Sequence, residues 1–304
     1  MKSLDCRNGR SNEVNASPLF CGVVTHPKST YSTQEYEESF SGLMENPITS
    51  TFDFHFKIVK ENHFDVRSVS LVGILLSSVN LKLIESRWSR YLSSRNTSFA
   101  ENLFNILRIL FLTSSRLLTP ASRKEERIKA LRIVNINWSH MRLMELGNSL
   151  ACSGQLILED DARFPGGEEF AQLLLDLHRI SQSITNPLYF FDLSESHSLS
   201  ELGAIHLVDE FFSIELQVGQ RHHSLQHMKK AITNTVCSVF YSSALVRILE
   251  PKLKGSLNRN LEKYVPIDWL INLYLMQLKR EGSEVLCFKS DPGIFEQQSF
   301  LARR

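Results

Sequence analysis

Short apolar runs alternate with longer amphipathic stretches along most of this 304-residue chain, and this alternation most strongly limits its fold. Runs rich in β-branched and aromatic residues predict strands at 19–25, 52–59, 155–158, 187–193, 235–241 and 284–288. Apolar residues spaced three and four apart predict helices between them, because such residues share one helix face. Strands alternating with helices are typical of α/β proteins. We therefore expect a three-layer α/β fold.

The composition is that of a globular protein with no bulk attraction to nucleic acid. Apolar residues make up 42% and charged residues 22% of the chain. The 34 Lys and Arg residues nearly balance the 33 Asp and Glu residues, so no net field favours a polyanion. We expect a flexible N-terminus at 1–17 and a single domain at 18–304, with a helical insertion at 65–118.

Cysteine usage and hydropathy indicate the compartment. The five cysteines are scattered without CxxC spacing, which favours a reducing environment. The first residues lack the apolar run of a signal peptide. The most apolar helical stretches, Leu71–Ile84 and Leu103–Leu112, fall short of the roughly 20 residues that span a bilayer. We expect a cytoplasmic protein, with peripheral contact at the inner face of a membrane and oligomer formation left open.

The segment Leu156–Ala162 carries the best indication of function. It reads Leu-Ile-Leu-Glu-Asp-Asp-Ala, so a strand-like run ends in Glu159, Asp160 and Asp161. Adjacent carboxylates repel one another and add nothing to a core, so we expect a divalent metal or a basic partner beside them. In open α/β sheets, ligands bind at the carboxyl ends of strands. The competing interpretation is a solvated acidic turn that caps the next helix.

Asp268 is a candidate general base. It lies in the first turn of a predicted helix that begins with Pro266. A carboxylate at this place could accept the proton of an attacking hydroxyl. The helix dipole should lower its pKa, which predicts an ionised side chain at neutral pH. The alternative is an ordinary acid that complements the helix dipole.

Four segments in this order resemble GT-A-type glycosyltransferases, in particular family 25, which contains lipooligosaccharide and collagen galactosyltransferases. They are Asn137–Ala162, Pro187–Ser196, Asn234–Leu249 and Pro266–Leu275. They match a Ser-His helix, an apolar strand into Glu-Asp-Asp, a Tyr-Ser strand–helix turn and an acid-Trp pair opening a helix. The resemblance implies a GT-A-like (Rossmann-like) nucleotide-sugar-binding domain with a mainly parallel mixed sheet.

The resemblance also implies a reaction. A sugar would pass from a nucleotide-diphosphate donor, expected to be a UDP-sugar, to a glycan or lipid-linked acceptor, as in lipopolysaccharide biosynthesis. Mn²⁺ or Mg²⁺ would bridge the diphosphate to Asp161, with Glu159 as a second ligand, because hard oxygen ligands suit these cations. Asp268 would be the base of an inverting transfer.

Further positions are assigned by the resemblance to the donor pocket or to the acceptor cleft. They are Thr25, His26, Ser139, His140, Glu159, Asp160, Asn234 and Tyr241, with Lys28 and Thr235 beside them. Each also has a simpler explanation, such as a proline-containing turn or a buried core histidine. The tail residues Asp291, Gln297 and Gln298 could fold back over the cleft.

Other functions stay open. The spacing of His222, His223 and His227 suggests zinc, but a polar loop is the favoured interpretation. A metal-dependent phosphohydrolase would need further carboxylates, for which Asp192 and Asp209 are the convenient candidates. A catalytically inactive, transferase-like scaffold is the non-enzymatic alternative. The sequence contains no GxSxG, GxxxxGK[ST] or GxGxxG motif.

Overall fold

A computed structural model describes residues 17–25, 33–60, 62–93, 98–163, 167–195, 207–218, 221–230, 238–290 and 293–297. Its helices are α1 (Thr33–Met44), α2 (Leu71–Ser93), α3 (Phe99–Arg116), α4 (Pro120–Ser149), α5 (Gly167–Ser183), α6 (Ser243–Asn258) and α7 (Ile267–Arg280). Its strands are β1 (Leu19–Val24), β2 (Phe54–Val59), β3 (Gly154–Glu159), β4 (Ala162–Arg163), β5 (Tyr189–Asp192), β6 (Ser194–Glu195), β7 (Val208–Val218), β8 (Arg221–Met228), β9 (Ser238–Ser242), β10 (Leu286–Ser290) and β11 (Phe295–Gln297).

Eight strands form one mixed sheet in the order β2-β1-β3-β9-β5-β10-β8-β7. The pairs β1–β2, β1–β3 and β5–β10 are parallel, whereas the pairs made by β9 and β8 are antiparallel. The predicted α/β class with a mixed sheet is confirmed. Parallel neighbours are nevertheless a minority of the pairs, because β9 inserts between β3 and β5 in the opposite direction.

Helices cover both faces of this sheet. Side chains of β3 alternate, so Ile157 packs with residues of α4, α6 and α7, whereas Leu156 and Leu158 pack with residues of α1 and α5. Two apolar cores result, one on each side of the sheet. This is the layering that the alternating sequence pattern predicts.

The stretch 65–118 is helical and contains α2 and α3. Ser98 and Glu101 form a capping box at the start of α3. Thr119 caps α4, whose 30 residues extend about 45 Å at 1.5 Å per residue. Because α4 runs into β3 through a short turn, its middle lies beside the carboxyl end of that strand.

Residues 194–230 depart from the sequence-based expectation. We predicted loops around a short excursion of the sheet there, but β7 and β8 form a long antiparallel hairpin at the sheet edge. His222, His223 and His227 therefore lie on a strand and not in a polar loop. The tail also contains a strand, β11, which pairs with β4 and β6 in a small second sheet. Among the described helices, none is both long enough and apolar enough to cross a membrane.

Candidate active site

The acid turn, defined as Glu159, Asp160 and Asp161, lies at the carboxyl end of β3. Asp160 and Asp161 are 9% and 7% exposed, so the interpretation as a solvated acidic turn is wrong for these two residues. The hydroxyl of Tyr36 in α1 lies 2.7 Å from the carbonyl oxygen of Ala162 and 3.0 Å from that of Asp160. This hydroxyl holds the backbone of the turn in place from the neighbouring layer.

Thr25 joins the end of β1 to the acid turn. Its Oγ1 donates a hydrogen bond to Oδ2 of Asp160 at 2.9 Å, and both residues are buried. β1 and β3 are adjacent and parallel, so their carboxyl ends meet at one edge of the sheet. Thr25 thus lies beside the acid turn, whereas His26 and Lys28 lie outside the described residues.

His140 approaches the acid turn from α4. Its Nε2 lies 3.4 Å from Oε1 of Glu159, and the ring is fully buried. One turn earlier on the helix, Nδ2 of Asn137 donates to the carbonyl oxygen of Val265 at 2.8 Å. That contact fixes the segment leading into α7. Helix α4 therefore connects the acid turn to the start of α7.

Asp268 lies in the first turn of α7 and has a strongly raised pKa. Removal of water by the surrounding protein raises this pKa to about 7, while a hydrogen bond from the backbone of Trp269 acts in the opposite direction. The charge of Glu159 raises the pKa further, so the two carboxyl groups are electrostatic neighbours. Our expectation of a lowered pKa was wrong, because desolvation outweighs the helix dipole at this site.

Trp88 of α2 packs against the residue that follows Asp268. The rings of Trp88 and Trp269 meet edge to face with centroids 5.4 Å apart. The helical stretch at 65–118 thus packs against the start of α7. No local pattern identifies Trp88, because only the packing of α2 on α7 brings the two tryptophans together.

A buried ion pair lies two strands away from the acid turn. Oδ2 of Asp192 in β5 is 3.1 Å from Nζ of Lys289 in β10, and both side chains are buried. Oδ1 of Asp192 accepts a hydrogen bond from the backbone N–H of Ser194 at 3.1 Å. Asp192 is therefore neutralised by a lysine and is poorly suited to act as an additional metal ligand. Sequence analysis missed Lys289, since its partner depends on strand order.

Tyr241 of β9 is a buried tyrosine near the charged side chains of Glu159 and Asp192. Its side chain is fully buried, and its hydroxyl has no hydrogen-bond partner within the described ranges. Burial raises the pKa of Tyr241 well above its usual range, and the charges of Asp192 and Glu159 add to this effect. Tyr241 therefore lies within electrostatic range of the acid turn, as a neutral phenol.

Other candidate residues are not joined to the acid turn. Ser139 is buried on α4, with no hydrogen bond to the acid turn in the described part of the chain. Nδ1 of His227 lies 3.2 Å from Oδ2 of Asp209 in the β7–β8 hairpin, away from the turn. Burial lowers the pKa of His227, although Asp209 opposes this shift. Gln297 lies on β11. Asn234, Thr235, Asp291 and Gln298 lie outside the described residues.

The residues of the acid turn are of the kind that bind a divalent cation together with a phosphate ligand. The described residues contain no group of three or more His, Cys, Asp or Glu that could hold a metal alone. Mg²⁺, however, is usually bound by one or two carboxylates together with substrate phosphates and water. Among the described residues, neither Glu159 nor Asp160 forms an ion pair with Lys or Arg, so these two carboxyl groups could contribute oxygen ligands to such a cation.

Comparisons with known proteins leave the family unassigned. No family model matches the chain, and no curated protein matches it significantly. The resemblance to glycosyltransferases in the four segments named above therefore stays a prediction.

Proposed function

We propose that this protein transfers a sugar from a nucleotide-diphosphate donor, expected to be a UDP-sugar, to a hydroxyl of a glycan or a lipid-linked acceptor. The observation that carries the proposal is the pairing of two kinds of carboxyl group. A buried acid turn ends a parallel strand, and Asp268, with a pKa of about 7, lies within electrostatic range of it. The acid turn can bind a cation, and Asp268 can accept a proton.

The acid turn would bind the donor diphosphate through Mn²⁺ or Mg²⁺. Asp161 and Glu159 are the proposed ligands, and Asp160 is oriented by the hydroxyl of Thr25. Such a cation, when bound, offsets the charge that develops on the leaving diphosphate. His140 restrains Glu159 from the other side, so that the carboxylate needs little reorganisation.

Asp268 would accept the proton of the attacking acceptor hydroxyl. A base works best when its pKa is close to the working pH, because it is then both available and strong enough to take the proton. With a pKa of about 7, Asp268 is far more basic than an ordinary aspartate. Removal of water by the surrounding protein is the main cause of this high pKa. Direct attack assisted by a base inverts the configuration at the anomeric carbon.

Binding of the donor tests the proposal first. The purified protein is heated with UDP, GDP or a nucleotide sugar, each with and without Mn²⁺. Ligand at 100 times its dissociation constant adds about 2.7 kcal/mol of stability, so a cation-dependent rise in melting temperature is expected. Asp161→Ala should remove this shift, whereas Glu168→Ala, at an exposed acid in the first turn of α5, should keep it. Normal cation-dependent binding by Asp161→Ala would refute the ligand assignment.

Turnover tests the base separately. Asp268→Asn should bind the donor like the unaltered protein but transfer sugar at least about 100-fold more slowly, since general bases contribute factors of this size. For the unaltered protein, kcat/KM should rise with pH around a midpoint of about 7. Full turnover by Asp268→Asn would assign the base to another residue. No stabilisation by any nucleotide would favour the scaffold alternative.

A further inference from the structure

Helix α3 exposes its most apolar side chains. Leu103, Phe104, Leu107 and Phe111, named here the apolar stripe, are 46%, 67%, 56% and 74% exposed. At about 100° per residue, these four positions fall within an arc of roughly 100° on one side of the helix. The buried residue on the opposite side is Thr113, which is polar. Ile106 and Ile109, which lie away from the stripe, are only partly buried, so α3 is apolar on both sides.

The apolar stripe has no cover within the described part of the chain. Helix α2 packs along the other side of α3 and leaves the stripe in solvent. Leu118, just beyond the end of α3, is 75% exposed and extends the apolar surface. Single exposed leucines are normal, but a contiguous group with two phenylalanines marks an interaction site.

The segment that contains the apolar stripe is positively charged. Residues 87–132 contain ten Arg and Lys and three Glu, a net charge of +7, whereas the whole chain carries +1. Arg108 is exposed on α3 beside the stripe, and Arg116 and Lys124 follow at its end. None of these three side chains forms a salt bridge to a described carboxylate. Their charge is therefore available to an external partner.

We propose that the apolar stripe binds the surface of an anionic lipid bilayer. A helix with Phe and Leu on one face and arginines around it lies in the interface of a membrane, with its apolar face among the acyl chains. Basic residues near the surface add electrostatic attraction to anionic headgroups. A second copy of this chain is a poorer partner, because a symmetric dimer would place one basic surface against another. The surface assignment does not depend on glycosyl transfer.

Flotation with lipid vesicles tests this assignment. The full chain is mixed with vesicles of phosphatidylcholine alone, or of phosphatidylcholine with phosphatidylglycerol, and centrifuged through a density gradient. We expect binding to the phosphatidylglycerol vesicles, weakened by salt. Phe104→Ser with Phe111→Ser should reduce this binding by roughly tenfold or more. Leu150→Ser removes an exposed leucine at the far end of α4 and should bind like the unaltered protein.

A second pair of substitutions separates the contribution of the basic side chains from that of the apolar stripe. Arg108→Gln with Arg116→Gln should weaken binding to the anionic vesicles and reduce its salt dependence, while circular dichroism confirms that the helices are retained. The proposal fails if the unaltered protein does not float with anionic vesicles. It also fails if the double serine variant floats equally well, or if sedimentation finds a dimer that the serine substitutions abolish without any vesicle binding.

Discussion

Replacement of Asp268 by Asn should stabilise the protein at neutral pH and have little effect in acid. The carboxyl has an ordinary pKa of 3.8 in an unfolded chain and a pKa of about 7 in the folded protein. Below pH 3.8 both states hold the proton. Between the two values only the folded state holds it, so each unit rise in pH destabilises the fold by about 1.4 kcal/mol. Above pH 7 the accumulated cost levels off at about 4 kcal/mol.

The assay compares two unfolding free energies at each pH. Urea unfolding followed by tryptophan fluorescence gives values for the unaltered protein and for Asp268→Asn, from about pH 4 to about pH 8. The difference cancels the titrating groups that do not interact with Asp268, and it should grow in favour of the variant until about pH 7. Asparagine keeps the volume and an acceptor for the backbone N–H of Trp269. Glu281→Gln, at an exposed acid just after α7, is the matched control and should show no such trend.

A flat difference between pH 4 and 8 would refute the claim that burial controls this carboxyl. The neighbouring charge provides a further check. Glu159 raises the pKa of Asp268, so in a Glu159→Gln background the stabilisation by Asp268→Asn should level off at a lower pH. An unchanged profile in that background would mean that Glu159 has no effect on Asp268.

Three other substitutions test which contacts stabilise the region around the site, measured as the free energy of unfolding in urea. Lys289→Met should destabilise the protein by about 3–5 kcal/mol because it leaves the carboxylate of Asp192 buried and unpaired, and adding Asp192→Asn should recover much of that loss. Thr25→Val should cost about 1–3 kcal/mol by removing the donor to Asp160, whereas Thr25→Ser should cost much less. Tyr36→Phe should cost about 1 kcal/mol, and no loss would mean that its hydroxyl does not anchor the acid turn.

Local patterns were sufficient to predict most elements. β1 and the middle of β3, Leu156–Leu158, are apolar runs, as expected for strands covered on both faces. Pro266 lies at the start of α7 as predicted, although it is the N-cap of this helix and not its first residue. The bounds of the β7–β8 hairpin were not predicted, because its histidines and serines interrupt the apolar alternation. Strand β8 pairs with β10 and with β7, and sequence-local propensity does not report such pairing.

The sequence also identified the acid turn, because three carboxylates after an apolar run have no use in a core. It named Thr25 and His140 as candidates but not their contacts with Asp160 and Glu159, which require the order of strands and the path of α4. Tyr36 was missed altogether. Its hydroxyl contacts the carbonyl oxygen of Asp160 across 124 residues of chain, so no local pattern could identify it.

The state of Asp268 separates what the sequence determined from what only the tertiary structure decided. Its position in the first turn of a helix is a local property, and the stabilising effect of the backbone N–H groups on its charge followed from that position. The larger effect comes from residues distant in the chain. Burial in the folded protein removes water, and β3 brings the charge of Glu159 close. Desolvation depends on every atom around a group, and therefore only the folded chain raises this pKa to about 7.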